Sequence, residues 1–124
     1  MPRRDSRGWG SYAAPLGSWK PGQMQALLPE PDPAALAETL VAFANSDGGT
    51  IIIGAAKDGR ITGHVFADEV EMALQAAMET CRPPVEARWH QAAAEDGPVF
   101  SIVVNRSPEL HSLSDGRVLV RTGP

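Results

Sequence analysis

A pair of glycines, Gly48-Gly49, separates two runs that favour different backbones. Upstream, Leu36, Leu40, Phe43 and Ala44 recur at i, i+4, i+7 and i+8, the spacing of one helix face. Downstream, Thr50-Ile51-Ile52-Ile53 is a continuous β-branched run, the composition of a strand buried on both faces. The chain must turn from helix to strand within a few residues, and glycine, which reaches positive φ at little steric cost, makes that corner. Two readings of it stand. Either the glycines only bring the helix against the strand, or the successive turns also offer backbone N–H groups to an anion such as a phosphate.

The remaining punctuation sets the order of elements. Asp32-Pro33 starts the first helix, with a capping oxygen and a proline where no N–H is needed. Asn45 stands where asparagine commonly ends a helix. Asp58-Gly59 is a hairpin signal joining the isoleucine strand to a strand over residues 60–64. Val70, Leu74, Ala77, Met78 and Cys81 mark one side of a second helix over residues 67–81, which Arg82-Pro83-Pro84 stops. Alternation predicts a strand over residues 85–90, and the Glu95-Asp96-Gly97 turn returns the chain into residues 99–104. A last hairpin at Ser114-Asp115-Gly116 predicts a closing strand over residues 117–122, with Val118 and Val120 inward and Arg117 and Arg121 outward. This order predicts an α+β domain, two helices packed on a mixed, mostly antiparallel sheet, over residues 18–124. Residues 1–17 read as an irregular arm. Its aromatics, Trp9 and Tyr12, with Trp19 just beyond, suggest packing on the domain or on a second copy in a homodimer.

A chain of 124 residues is one domain with room for a core. The single cysteine, Cys81, falls on the apolar side of the second helix and reads as a buried residue of a reducing, cytoplasmic environment. No apolar run approaches membrane-spanning length, so no membrane partner is expected. Charge is uneven: residues 1–20 carry a net +3, residues 21–99 carry −8 and residues 100–124 carry +1. An acidic middle argues against nonspecific nucleic-acid binding, which phosphate neutralisation drives, but a local basic strip remains open to it.

Catalytic patterns find little support. There is no Gly-x-Ser-x-Gly elbow, and the double glycine is followed by Thr50 and isoleucines rather than by the lysine of a Walker A loop. His64, His90 and His111 lie far apart in sequence, with His90 on a solvent face, so neither a metal nor a cofactor is expected. Asp58 is explained by its turn. What remains is basic: Lys57 and Arg60 around a hairpin, Arg117 and Arg121 about 13 Å apart on one strand, and Trp19-Lys20, which could stack a base and hold a phosphate. The same positions are also what an ordinary solvated surface shows.

The stretch AFANSDGGTIIIGAAKDGRITG, with PPVEARW, FSIVVNRSPELH and the terminal DGRVLVRTG, resembles the Schlafen-type, Alba-like domain family over about residues 18–123. The resemblance implies an α+β fold and nucleic-acid binding, often as one module of a bacterial transcriptional regulator or a helicase-like ATPase. Members commonly carry a Glu-Phe-Lys strand before the first helix, for which Ser18-Trp19-Lys20 is the counterpart here. Members that cut RNA use two glutamates around that strand and an acid after the isoleucine strand; Ala13, Ser18 and Ala56 stand at those positions. Metal-assisted phosphodiester cleavage needs clustered carboxylates. The expectation is therefore a noncatalytic DNA- or RNA-binding domain, contacting phosphates through Lys20, Lys57, Arg60, Arg117 and Arg121, with Trp19 stacking and Asn45, Gly48 and Gly49 near a phosphate. A metal-dependent nuclease and a protein-interaction or dimerisation module are the alternatives.

Overall fold

The computed structural model describes residues 24–94 and 96–122. Its elements in order are β1 (Gln25–Leu28), α1 (Pro33–Ala44), β2 (Gly49–Ile53), α2 (Ala67–Thr80), β3 (Cys81–Arg82), β4 (Trp89–Ala94), β5 (Gly97–Val104) and β6 (Ser112–Leu113). Four strands form one sheet in the order β1-β2-β5-β4, and β3 pairs with β6 in a second, two-stranded sheet. β1 runs parallel to β2, as a strand–helix–strand crossover requires. The β2–β5 and β4–β5 pairs are antiparallel. The fold is α+β, with a mixed, mostly antiparallel sheet, as expected.

Helix α1 starts where its cap predicts: the Asp32 carboxylate accepts from the Ala34 N–H at 3.2 Å, and Pro33 occupies the first turn. Its buried residues include Leu36, Leu40 and Phe43. At the start of α2 the Phe66 N–H donates to Glu69 Oε1 at 2.9 Å, satisfying an otherwise unpaired group. The core lies between the helices and one sheet face, where Ile51, Ile53, Phe100, Ile102 and Val104 meet Leu36, Leu40, Phe43, Val70 and Leu74. Ile52 points the other way into a smaller cluster with Leu27, Ala55 and Val99. This gives β2 its uninterrupted isoleucines, since both of its faces are covered.

The glycine corner is shaped by close approach. Gly48 has φ +77°, and a Cβ there would lie 2.5 Å from the Val104 carbonyl oxygen. At Gly49 a Cβ would lie 2.5 Å from the Phe43 ring and 2.8 Å from the Met24 carbonyl oxygen. Both glycines therefore bring the end of α1 against the sheet.

Several expectations need correction. Residues 60–64 form no strand; the hairpin contributes only an isolated antiparallel bridge, Ala55 to Ile61. The strand expected from residue 85 joins the ladder at Trp89, although the alternation is real: Val85 is buried while Glu86, Arg88 and His90 are exposed. The parallel strand before α1 is Gln25–Leu28; the Ser18-Trp19-Lys20 segment lies outside the described residues. The closing segment, residues 117–122, forms no ladder, and its facing is opposite to expectation. Val118 and Val120 are 49% and 57% exposed, whereas Leu119 packs against the core and Arg121 is half-buried.

Candidate nucleic-acid interface

The end of α1 is a clasp. Asn45 Nδ2 donates to the carbonyls of His111 and Leu119 at 2.8 and 3.0 Å, and its Oδ1 accepts from the His111 N–H at 2.8 Å. The next residue continues the grip: Ser46 Oγ accepts from the Arg121 N–H at 2.7 Å. The Ser107 N–H donates to the Ala44 carbonyl, satisfying an end-of-helix acceptor. His111 is buried, with Nδ1–H donating to the Pro83 carbonyl and Nε2 hydrogen-bonded to Ser107 Oγ, both at 2.7 Å.

Asn45, Gly48 and Gly49 thus have structural work in hand. The N–H groups of Ser46 and Gly48 both turn inward to the Phe43 carbonyl. An anion at this corner would have to compete with those bonds.

The four described cations singled out in the sequence fall into two kinds. Arg117 is held by carboxylates: Nη1 donates to Glu38 Oε2 and Nε to Asp115 Oδ2, each at 2.9 Å. The bond to Glu38, then that to Asp115, raises its pKa above the ordinary arginine value. Arg121 lies with its guanidinium 4.9 Å from the centre of the Phe43 ring and Nη2 donating to the Gln25 carbonyl at 3.2 Å. Burial pulls its pKa down. The two arginines are therefore engaged differently, although both stand near α1. Lys57 and Arg60 differ. They are exposed on the turn between Ala55 and Ile61, which the Asp58 carboxylate shapes by accepting the Arg60 N–H at 2.9 Å. Among the described residues neither side chain forms an ion pair. Trp19 and Lys20 lie outside the described residues.

One further group went unremarked in the sequence. Arg88, His90 and Asn105 line a cleft with Glu86, Ala87 and Val103. Alternation over residues 85–90 is enough to place Arg88 and His90 outward, but nothing in the sequence brings Asn105 beside them.

Among the described residues no three His, Cys, Asp or Glu side chains lie together as metal ligands. The four residues of β1 carry no carboxylate, and Ala56 follows the end of β2.

Fold and surface together define a small helix-backed mixed sheet with basic turns on an acidic body. The sequence profile of the family "Schlafen, AlbA_2" matches residues 20–124, and the chain belongs to that family. Membership suggests a domain of nucleic-acid-binding type. Among solved structures, the DIP2311 protein from Corynebacterium diphtheriae superposes with a TM-score of 0.64 at 23% identity over 82% of this chain. The likeness supports the fold, and the chain spans only 24% of that protein's chain. No curated protein matches. Among the described residues no helix is long and apolar enough to cross a membrane.

Proposed function

We propose that this domain binds nucleic acid without cutting it. The observation that carries the reading is the turn bearing Lys57 and Arg60, two exposed cations with no carboxylate partner among the described residues, in a family of nucleic-acid-binding type. Arg117 and Arg121 make secondary contacts, since each must first give up part of its present engagement. Neither β1 nor residues 18–20 carry an acid, and position 56 is alanine. With a net charge of −4, the domain binds weakly and in a strongly salt-dependent manner.

The test is fluorescence anisotropy with labelled oligonucleotides across a salt series. Replacing Lys57 and Arg60 together with Ala is expected to reduce the salt slope by about two units. Absence of binding at low salt would sink the reading and favour a protein-interaction role, for which exposed Val118 and Val120 would be the first surface to probe. Cleavage of transfer RNA or single-stranded DNA in Mg²⁺, abolished by chelator, would sink the noncatalytic part.

A further inference from the structure

The sheet has one face packed on the helices and a second on which Leu27, Ile52, Val99 and Ser101 are buried while Thr50 is half-buried and His90 and Val103 are exposed; strand register assigns residues to this second face. His90 pairs with Ser101, Ser101 with Ile52, and Val103 with Thr50. Because Ile52 points away from the helices, so do His90, Val103 and Thr50. At one end of this face Ala55 and Ile61 pack with Ile52 and Val99, carrying the turn of Lys57 and Arg60 over it. At the other end Arg88, His90 and Asn105 surround a cleft of about 260 Å³ in which Val103, 49% exposed, supplies an apolar surface. Val99 and Val103 are four residues apart on β5, or about 13 Å by the strand rise. Among the described residues Arg88, like Lys57 and Arg60, forms no ion pair. Among the described residues Glu86 is the one carboxylate lining the cleft.

Resting on the nucleic-acid reading above, we infer that the Arg88–His90–Asn105 cleft is a phosphate subsite for a single strand, whose backbone runs from the turn of Lys57 and Arg60 along the accessible margin of that face, past half-buried Ala92 and exposed His90 on β4. Cations at both ends of the face suit a phosphodiester chain laid along it. The exposed branched side chain in the cleft selects strandedness: a duplex keeps its base faces stacked, whereas a single strand can lay one against Val103. Arg88 and Asn105 donate to phosphate oxygens, and His90 adds a ring N–H. Glu86 opposes the same anion, so the cleft holds two groups whose removal acts in opposite directions.

The experiment uses the full chain and a fluorescein-labelled oligothymidylate of about twelve nucleotides, with an oligouridylate and a duplex of equal length in parallel. Arg88→Ala is expected to weaken single-strand binding about three- to tenfold and to lower the salt slope by about one unit. Glu86→Gln is expected to tighten binding, with both variants melting like the parent, because both side chains are exposed. Amide shifts at Arg88, His90, Val103 and Asn105 on titration support the path, and matching behaviour of the oligouridylate supports backbone recognition. If Lys57→Ala/Arg60→Ala weakens binding while Arg88→Ala and Glu86→Gln do nothing, the subsite is refuted and the binding function stands. Equal affinity for the duplex refutes the single-strand assignment. If no oligonucleotide binds at all, both readings fall.

Discussion

Replacing Asn45 by Asp changes one amide nitrogen to oxygen and tests whether the end of α1 is clasped as described. Asn45 donates to two carbonyls and accepts from one N–H. At a net worth of about 1 kcal/mol per hydrogen bond, Asn45→Ala should cost about 3 kcal/mol, with unpaired partners adding to it. Asn45→Asp keeps the acceptor for the His111 N–H but sets a second carboxylate oxygen against the carbonyls of His111 and Leu119. Those dipoles disfavour the charged form and hold the introduced carboxyl above its unfolded value of about 3.9. The sign follows from proton binding: with the folded pKa raised, the folded state binds the proton more readily than the unfolded chain, so stability falls as pH rises. The variant's deficit is fully developed above the folded pKa and shrinks as pH falls through it, since a protonated carboxyl can again donate. Urea unfolding followed by tryptophan fluorescence reads this, because Trp89 stands edge-on to Phe100 at 5.7 Å and donates to Glu71 at 2.7 Å. Taking the variant's difference from the parent at each pH removes contributions common to both. An Asn45→Asp variant as stable as the parent at neutral pH, or a deficit that grows on acidification, would refute the clasp.

Two more perturbations probe other levels of the structure. Gly48→Ala must hold a positive φ with its Cβ 2.5 Å from the Val104 oxygen; the backbone conformation alone should cost about 1–3 kcal/mol, and an unchanged thermal melt would contradict the close approach. His64 Nε2 lies 2.6 Å from Glu30 Oε2, and this bond, then one to the Thr62 carbonyl, raises the imidazole pKa above its ordinary value. Because the folded pKa is raised, any stability from this exposed pair is present below the unfolded value of about 6.5 and is lost as pH rises through the folded one. An NMR titration should place the His64 midpoint above that of the Glu30→Gln variant; coincident midpoints would show that the pair does not persist in solution.

What was legible in the sequence was mostly local chemistry. Asp32 and Pro33 announce α1 because capping involves only near neighbours, and the glycine corner is visible because two dissimilar runs meet there. β1 was not legible. Its four residues, Gln-Ala-Leu-Leu, carry no strong strand signal, and they are extended because they pair with β2 across α1. The closing segment failed for a different reason. Its alternation fits either facing, and a shift of one residue exchanges the two faces. Asn45 and Ser46 decide the matter by gripping the backbone at Leu119 and Arg121, so Leu119 turns to the core and the valines to solvent. Arg117 looked available as a phosphate ligand because its partner Glu38 is 79 residues away in the chain. For the interface, alternation displays Arg88 and His90, but the approach of Asn105 depends on how β5 ends beside residues 86–90.

The strand order β1-β2-β5-β4 also divides the chain's search for its fold into cheap and costly parts. The β1–α1–β2 crossover and the β4–β5 hairpin each close over short lengths of chain. The β2–β5 ladder joins them, bringing Ile53 to Phe100 across an intervening segment that contains α2. Loop-closure entropy grows only logarithmically with length, yet it must be met before this ladder returns any favourable energy, so joining the two halves is the natural late step. Until then each half presents an unpaired strand edge, β2 on one and β5 on the other, to any neighbouring chain. Crowded synthesis is therefore the circumstance in which this small domain is most exposed to mispairing, well before its finished surface meets a ligand.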